Sequence, residues 1–161
     1  MLRPFTNDHI YPLYYWYQDP ENEVFFRHFD RLLTPEEFEH CCSGSYTKRL
    51  LIDSCKGFVF LTYQQKPSVC EVSVFLEKDS REEGFGIDVM KEIGRYLFVD
   101  NRIERMVLII SADDRNTNRI TELGCFELEA VYKKSCFYGG RYHDENRYVM
   151  TKEKYFQEYG G

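Results

Sequence analysis

The sequence predicts an α+β fold in one domain, and three observations carry the prediction. The chain has 161 residues, a usual length for one domain. Apolar residues at helical spacing dominate the first 44 positions, whereas runs of β-branched, aliphatic and aromatic residues dominate from Tyr46 onward. No repeat, low-complexity tract or linker divides the chain, so residues 1–161 are expected to share one fold. Hydrophobic residues make up 43% and aromatics 17%, enough apolar mass for a real core.

Residues 2–5 read as a short extended opening. Thr6, Asn7 and Asp8 supply helix-capping chemistry, and Ile10, Leu13, Tyr14 and Tyr17 follow at helical spacing, with Pro12 tolerable only near the first turn. Asp19-Pro20-Glu21-Asn22 reads as a breaker, and residues 24–33 as a second short helix. Thr34-Pro35-Glu36-Glu37 opens a third. Thr at the N-cap, Pro at N1 and Glu at N3 make a capping box with the proline where its missing N–H costs nothing, and Gly44 closes the helix.

Residues 48–54, 57–63 and 69–77 then read as strands of an antiparallel meander. Val72, Val74 and Leu76 share one face of the third strand, and Glu71, Ser73 and Phe75 the other. After a polar turn at 79–83, residues 84–99 place Ile87, Met90, Ile93, Leu97 and Phe98 on one helical face. Residues 105–111 are apolar enough for a central strand buried on both faces. Residues 116–123 read as a short helix with Gly124 at C′, and strands at 126–137 and 142–150 are joined by Gly139-Gly140 in a hairpin. The strand at 69, the helix at 84 and the strand at 105 form a β-α-β unit, in which ligands sit at strand C-terminal ends.

Charge and cysteine usage exclude several function classes. Net charge is −6 and no run of Lys and Arg exceeds two, so the chain lacks the footprint of a phosphate-backbone binder; only Lys133-Lys134 and Arg141 hint at a local basic patch. The longest uncharged apolar run, residues 57–63, is far short of a bilayer span, and the first ten residues do not read as a signal peptide. A cytoplasmic protein without membrane contact is the expectation. Six cysteines occur without any C-x-x-C, which argues against a zinc knuckle or redox motif; Cys55, Cys70, Cys125 and Cys136 are expected to act as small buried hydrophobes.

The stretch Arg81-Glu82-Glu83-Gly84-Phe85-Gly86 follows a strand and opens a helix. At such a junction the backbone N–H groups of the first turn are free, and glycine lets a phosphate approach them. This motif, in this place, resembles the GNAT superfamily of acyl-CoA-dependent N-acetyltransferases, whose signature Q/R-x-x-G-x-G/A follows the fourth strand and wraps the coenzyme A pyrophosphate. Arg81, Gly84 and Gly86 match it. The opening Leu2-Arg3-Pro4-Phe5-Thr6 with Asp8, the segment WYQDPE from Trp16 to Glu21, the strand around Glu71 to Leu76, Glu122-Leu123-Gly124 and Gly140-Arg141-Tyr142 with Asp144 look like the ribosomal-protein-alanine and spermidine acetyltransferase branch. The resemblance spans nearly the whole chain.

The resemblance implies a GNAT-like acyl-CoA N-acyltransferase fold, with a mixed, mostly antiparallel central sheet and helices on both faces. It implies acetyl-CoA as cosubstrate, no metal, and acetyl transfer to a primary amine on a small molecule, a polyamine or a protein N-terminus. The pyrophosphate would rest on the amides of Glu82, Glu83, Gly84, Phe85, Gly86 and Ile87, and the pantetheine arm would pair with Val74, Phe75 and Leu76. Glu71 matches the strand glutamate that some members use as a base, and it could instead bind a cationic substrate. The family's asparagine near the thiol would be Asn116, or Asp113 in another register; from the residues alone, Asn116 also reads as a helix N-cap. The tyrosine that members place four residues before the last helix's glycine falls here on Ile120, which leaves Tyr132, Tyr138 and Tyr142 as candidates for the acid. Trp16, Phe25, Phe26 and Phe29 would line the acceptor pocket or fill helix core, and a homodimer through a sheet edge would fit the family.

Glu82 and Glu83 put two carboxylates beside the expected pyrophosphate, which they repel unless they point to solvent. With Ile120 they motivate a second hypothesis: a GNAT-like module without catalysis that holds coenzyme A or a protein partner.

Overall fold

Seven strands form one mixed sheet in the order β1-β2-β3-β4-β5-β7-β6 in the computed structural model, which describes residues 1–29, 32–44, 46–64, 68–81 and 83–160, Glu83 by its backbone alone. The strands are β1 (Leu2–Pro4), β2 (Thr47–Ile52), β3 (Gly57–Tyr63), β4 (Val69–Leu76), β5 (Arg105–Ser111), β6 (Glu127–Tyr138) and β7 (Arg141–Thr151). Only β4 and β5 run parallel; every other neighbouring pair is antiparallel. The helices are α1 (Ile10–Gln18), α2 (Pro35–Cys42), α3 (Glu83–Arg95), α4 (Arg115–Leu123) and α5 (Lys152–Tyr159).

Period-two alternation sorts the sheet into two cores. On one face, Ile52, Leu61, Cys70, Val72, Met106 and Tyr148 pack with Val89 and Ile93 of α3, Leu97 just beyond its end, and Tyr155 of α5. On the other, Phe58, Phe60 and Phe75 pack with Leu13 and Tyr17 of α1, Phe26, and Phe38 of α2. Adjacent β4 residues thus feed different cores. The expected meander, the central strand and the Gly139-Gly140 hairpin are present, with both glycines at positive φ. The Thr34 capping box is also present: the Glu37 N–H donates to Thr34 Oγ1 at 3.3 Å and the Thr34 N–H to Glu37 Oε2 at 2.8 Å.

Three local expectations fail for identifiable reasons. Asp19-Pro20 starts a helix instead of breaking one. The Asp19 carboxylate accepts the Glu21 N–H at 3.0 Å and Pro20 sits at N1, so a 3₁₀ helix runs over Pro20–Phe26, and residues 27–29, 32 and 33 are not helical. The helix expected at 116–123 begins at Arg115, because Asp114 rather than Asn116 is its N-cap, accepting the Thr117 N–H at 3.2 Å. At its end Gly124 keeps φ −75° and Cys125 takes the left-handed position at φ +65°. The Cys125 N–H then bonds the Glu122 carbonyl and the Phe126 N–H the Thr121 carbonyl, a Schellman closure built on cysteine.

The sequence reading did not include α5. Thr151 caps it by accepting the Lys154 N–H, and Tyr155 packs so closely on α3 that a Cβ at Gly94 would lie 2.5 Å from its ring. A tighter restriction holds at Gly57, where a Cβ would lie 2.4 Å from the Phe75 carbonyl oxygen, a backbone atom that cannot rotate away. Gly57→Ala is therefore expected to lower stability by about 1–3 kcal/mol, read as a lower urea midpoint at unchanged m-value.

Candidate active site

β4 and β5 pair at Val69↔Arg105, Cys70↔Met106 and Glu71↔Val107, and no further. Beyond that point β4 stays on β3 as far as Leu76↔Gly57, and β5 stays on β7 as far as Ser111↔Glu145. The two strands diverge, leaving one edge of β4 at residues 72–76 without a strand partner. Unpaired backbone of this kind is what an extended, amide-bearing ligand can use.

The divergence opens a cavity of about 480 Å³, lined by Glu71, Ser73 and Val74 of β4, Ile109 and Ile110 of β5, and Phe25, Arg27, His28, Phe29, Tyr132 and Glu145. A smaller cavity of about 200 Å³ lies beside α3, walled by Leu76, Arg81, Gly86, Asn116 and Ile120. The two share Phe25, Val74, Met90, Asp114 and Thr117, so they follow one another along β4.

Most of the residues singled out from sequence lie on this path. Glu71 is half-buried in the larger cavity, and its carboxylate makes no hydrogen bond or ion pair with the described residues. Val74 and Leu76 wall the smaller cavity, while Phe75 lines the larger one and stacks on Phe26, ring centroids 4.9 Å apart. Phe85 and Ile87 are half-buried on α3, and Lys56 lies over the Phe85 ring. Asn116 is exposed near the start of α4, at the wall of the smaller cavity. Glu82 lies outside the described residues, as does the side chain of Glu83, and with them the expected pair of carboxylates.

The glycines of the motif have different causes. A Cβ at Gly86 would come within 3.1 Å of Ile120, so this glycine lets α3 close on α4. A Cβ at Gly84 would meet no atom within 4 Å, and the residue is exposed. Neither packing nor a positive φ calls for glycine there; an open glycine in the first helical turn leaves backbone N–H groups approachable by an anion. Arg81 points inward. Its Nε donates to the Leu76 carbonyl at 2.9 Å, its Nη2 to Asn22 Oδ1 at 2.6 Å, and its guanidinium lies 4.6 Å over the Phe25 ring. Burial lowers its pKa, and the bonds tie the end of β4 to the 3₁₀ helix.

Among the candidate tyrosines, the structure brings Tyr132 to the cavity. Tyr138 bonds Ser111 Oγ at 2.6 Å and stacks on His143, and burial pushes its pKa up; Tyr142 is exposed against Phe137. Phe25 and Phe29 line the cavity, whereas Phe26 is core and Trp16 packs on Phe58. Asp113 is held by His143 and Arg141, away from both cavities. Cys42 and Cys70 have pKa values pushed up to about 12 by burial, so they are inert as nucleophiles. Among the described residues no group of three or more His, Cys, Asp or Glu gathers as metal ligands.

The sequence reading missed one cluster. Glu145 on β7, 3% exposed, receives Arg27 Nε at 2.8 Å and His28 Nε2 at 2.9 Å on Oε2, and the Ser135 hydroxyl at 2.9 Å on Oε1. Arg27 also donates to the Val24 and Ile109 carbonyls. Burial opposes charge on Glu145, yet the His28 bond, the Arg27 charge and the Ser135 bond outweigh it and hold its pKa down at about 2. The signal available in sequence was the alternation at 142–147, which sets His143 and Glu145 on one strand face.

Against known proteins, the family described as "Acetyltransferase (GNAT) domain" matches residues 1–123. The chain belongs to the GNAT acetyltransferase family. No curated protein sequence matches it. Among solved structures, spermidine N-acetyltransferase from Vibrio cholerae in complex with CoA and spermine is similar at TM-score 0.87 and 15% identity, covering 97% of each chain. The Salmonella typhimurium acetyl transferase that modifies the N-terminal serine of 50S ribosomal subunit protein L7/L12 is similar at TM-score 0.75 and 19% identity, covering 93% of each chain. At these identities the likeness is one of fold, and it confirms the GNAT sheet with helices on both faces. Among the described residues, no helix is long and apolar enough to cross a membrane.

The Glu145 cluster fixes an acid sensitivity of this GNAT fold. Its folded pKa, about 2, lies below the ordinary 4.5, so its contribution is fully present above pH 4.5 and is lost as pH falls toward 2. Glu145→Gln, which leaves Arg27 buried without its counter-charge, is expected to cost about 3 kcal/mol at pH 7. The gap between the variant and the parent protein should narrow from pH 4.5 downward in urea unfolding followed across pH.

Proposed function

We propose that this GNAT protein is an N-acetyltransferase that moves the acetyl group of acetyl-CoA to a primary amine on a small molecule, a polyamine or a protein N-terminus. One observation carries the reading: the unpartnered edge of β4 runs from an approachable helix start into a cavity that holds an unpaired carboxylate. The chain's own residues fit the cosubstrate along that path. The amides of residues 82–87 would receive the pyrophosphate, with Gly84 leaving them open, and the edge at Val74, Phe75 and Leu76 would pair with the amides of the pantetheine arm. Asn116 and Thr117 would flank the arm from α4.

Acetyl-CoA supplies a thioester; the protein supplies position and proton handling. Glu71 would meet the acceptor's ammonium inside the larger cavity, where Phe25, Phe29 and Ile110 limit water. The V. cholerae structure contains both CoA and spermine, which supports a cosubstrate and an amine sharing this fold. Six free cysteines suit a reducing, cytoplasmic setting.

Calorimetric titration with acetyl-CoA is expected to give micromolar affinity. Gly84→Asp, whose side chain enters open space, should weaken it at least tenfold without loss of fold. Absence of binding to the parent protein would overturn the reading, and binding without turnover on any amine would leave a coenzyme-holding module. Glu71→Gln is expected to raise the acceptor's KM about tenfold while acetyl-CoA affinity stays the same, checked by steady-state kinetics and the same titration.

A further inference from the structure

The larger cavity also holds a histidine. His28 lines the cavity and places Nε2 2.9 Å from Glu145 Oε2. An ionised carboxylate only accepts, so Nε2 carries the proton, and in the neutral imidazole the lone pair is left on Nδ1. Nδ1 has no hydrogen-bond partner among the described residues. Glu145 cannot swing away, because Arg27 Nε and Nη2 hold the same oxygen at 2.8 and 2.7 Å, and Ser135 holds the other at 2.9 Å. Arg27 is in turn fixed by the carbonyls of Val24 and Ile109. The ring is thereby set in one tautomer by a buried, pinned carboxylate. Its side chain is still 58% exposed, which gives an accepted proton a way out to water.

The other titratable groups around the cavity have different roles. Glu145 is neutralised by Arg27, Asp114 caps α4, Tyr132 stands on β6, and Glu71 faces the cavity from β4. A neutral imidazole is a stronger base than a carboxylate, so it is the better acceptor for a proton held by an alkylammonium.

We infer that His28 is the general base of the acetyl transfer and Glu145 its positioning residue, an inference that rests on the acetyltransferase reading. The acceptor's ammonium, held by Glu71, gives one proton to His28 Nδ1 and becomes a neutral amine. The amine nitrogen forms its bond to the acetyl carbonyl carbon, the C–S bond of the thioester breaks with its electron pair going to sulfur, and the second amine proton ends on the thiolate. The products are the N-acetyl amine, free coenzyme A and imidazolium, which returns its proton to water.

The test compares the parent protein with His28→Gln and His28→Ala on whichever of spermidine, a serine-initiated peptide or a simple monoamine it acetylates. His28→Gln is expected to lower kcat about 100-fold or more with unchanged acetyl-CoA affinity, and to abolish the acid limb of the pH–kcat profile. Added imidazole should restore part of the rate of His28→Ala. In ¹⁵N NMR of the resting protein, His28 should show a protonated Nε2 and a bare Nδ1. A kcat within threefold of the parent in His28→Gln, or a tautomer protonated on Nδ1, overturns the base assignment alone. Failure of the parent protein to acetylate any amine overturns the acetyltransferase reading and the base with it.

Discussion

β4 and β5 hold each other at three residue pairs and then separate, while each keeps a full partner on its other side: β3 along β4 and β7 along β5. Backbone groups freed in this way cannot remain dry and unpaired. Two arginines answer part of the need, Arg81 on the Leu76 carbonyl of β4 and Arg27 on the Ile109 carbonyl of β5. Each then continues to a second anchor, Asn22 for Arg81 and Glu145 for Arg27. The diverging strands are thus braced from the same side by the segment that follows α1, and the β4 edge between the braces has no strand partner.

That segment also builds the walls. In the 3₁₀ helix Phe25 and Phe26 are neighbours with opposite duties: Phe26 is buried and stacked on Phe75, while Phe25 faces both cavities beneath Arg81. A one-residue step from core to cavity means that packing and site geometry are coupled, and on β4 the buried Phe75, stacked on Phe26, itself lines the larger cavity beside Val74. The cavity inherits its rigidity from the aromatic core behind it.

The meander, the β-α-β unit, the Thr34 capping box and the final hairpin were legible because each is written in local spacing or turn chemistry. Of the motif at 81–86, Arg81 and Gly86 fell on the wall of the smaller cavity, and Glu71 on the wall of the larger. Local signals also misled. Asp19-Pro20 carries the chemistry of a breaker and of a helix start alike, and Asp114 and Asn116 are both good caps two residues apart. The Arg27–Glu145 pair spans 118 positions, so no window of sequence could join them; only the strand order, which lays β7 beside β5, brings them together. Arg81 was legible as a motif residue, but its inward bond to Asn22 depends on a 3₁₀ helix that the sequence did not announce.

A crystal structure of the protein with coenzyme A bound would test most directly whether the divergence of β4 and β5 is the cosubstrate's site. The pantetheine amides should be hydrogen-bonded to the β4 edge at residues 74–76, with the pyrophosphate on the amides at the start of α3. Coenzyme A bound elsewhere, or with β4 and β5 zipped together beyond Glu71 and Val107, would contradict the account.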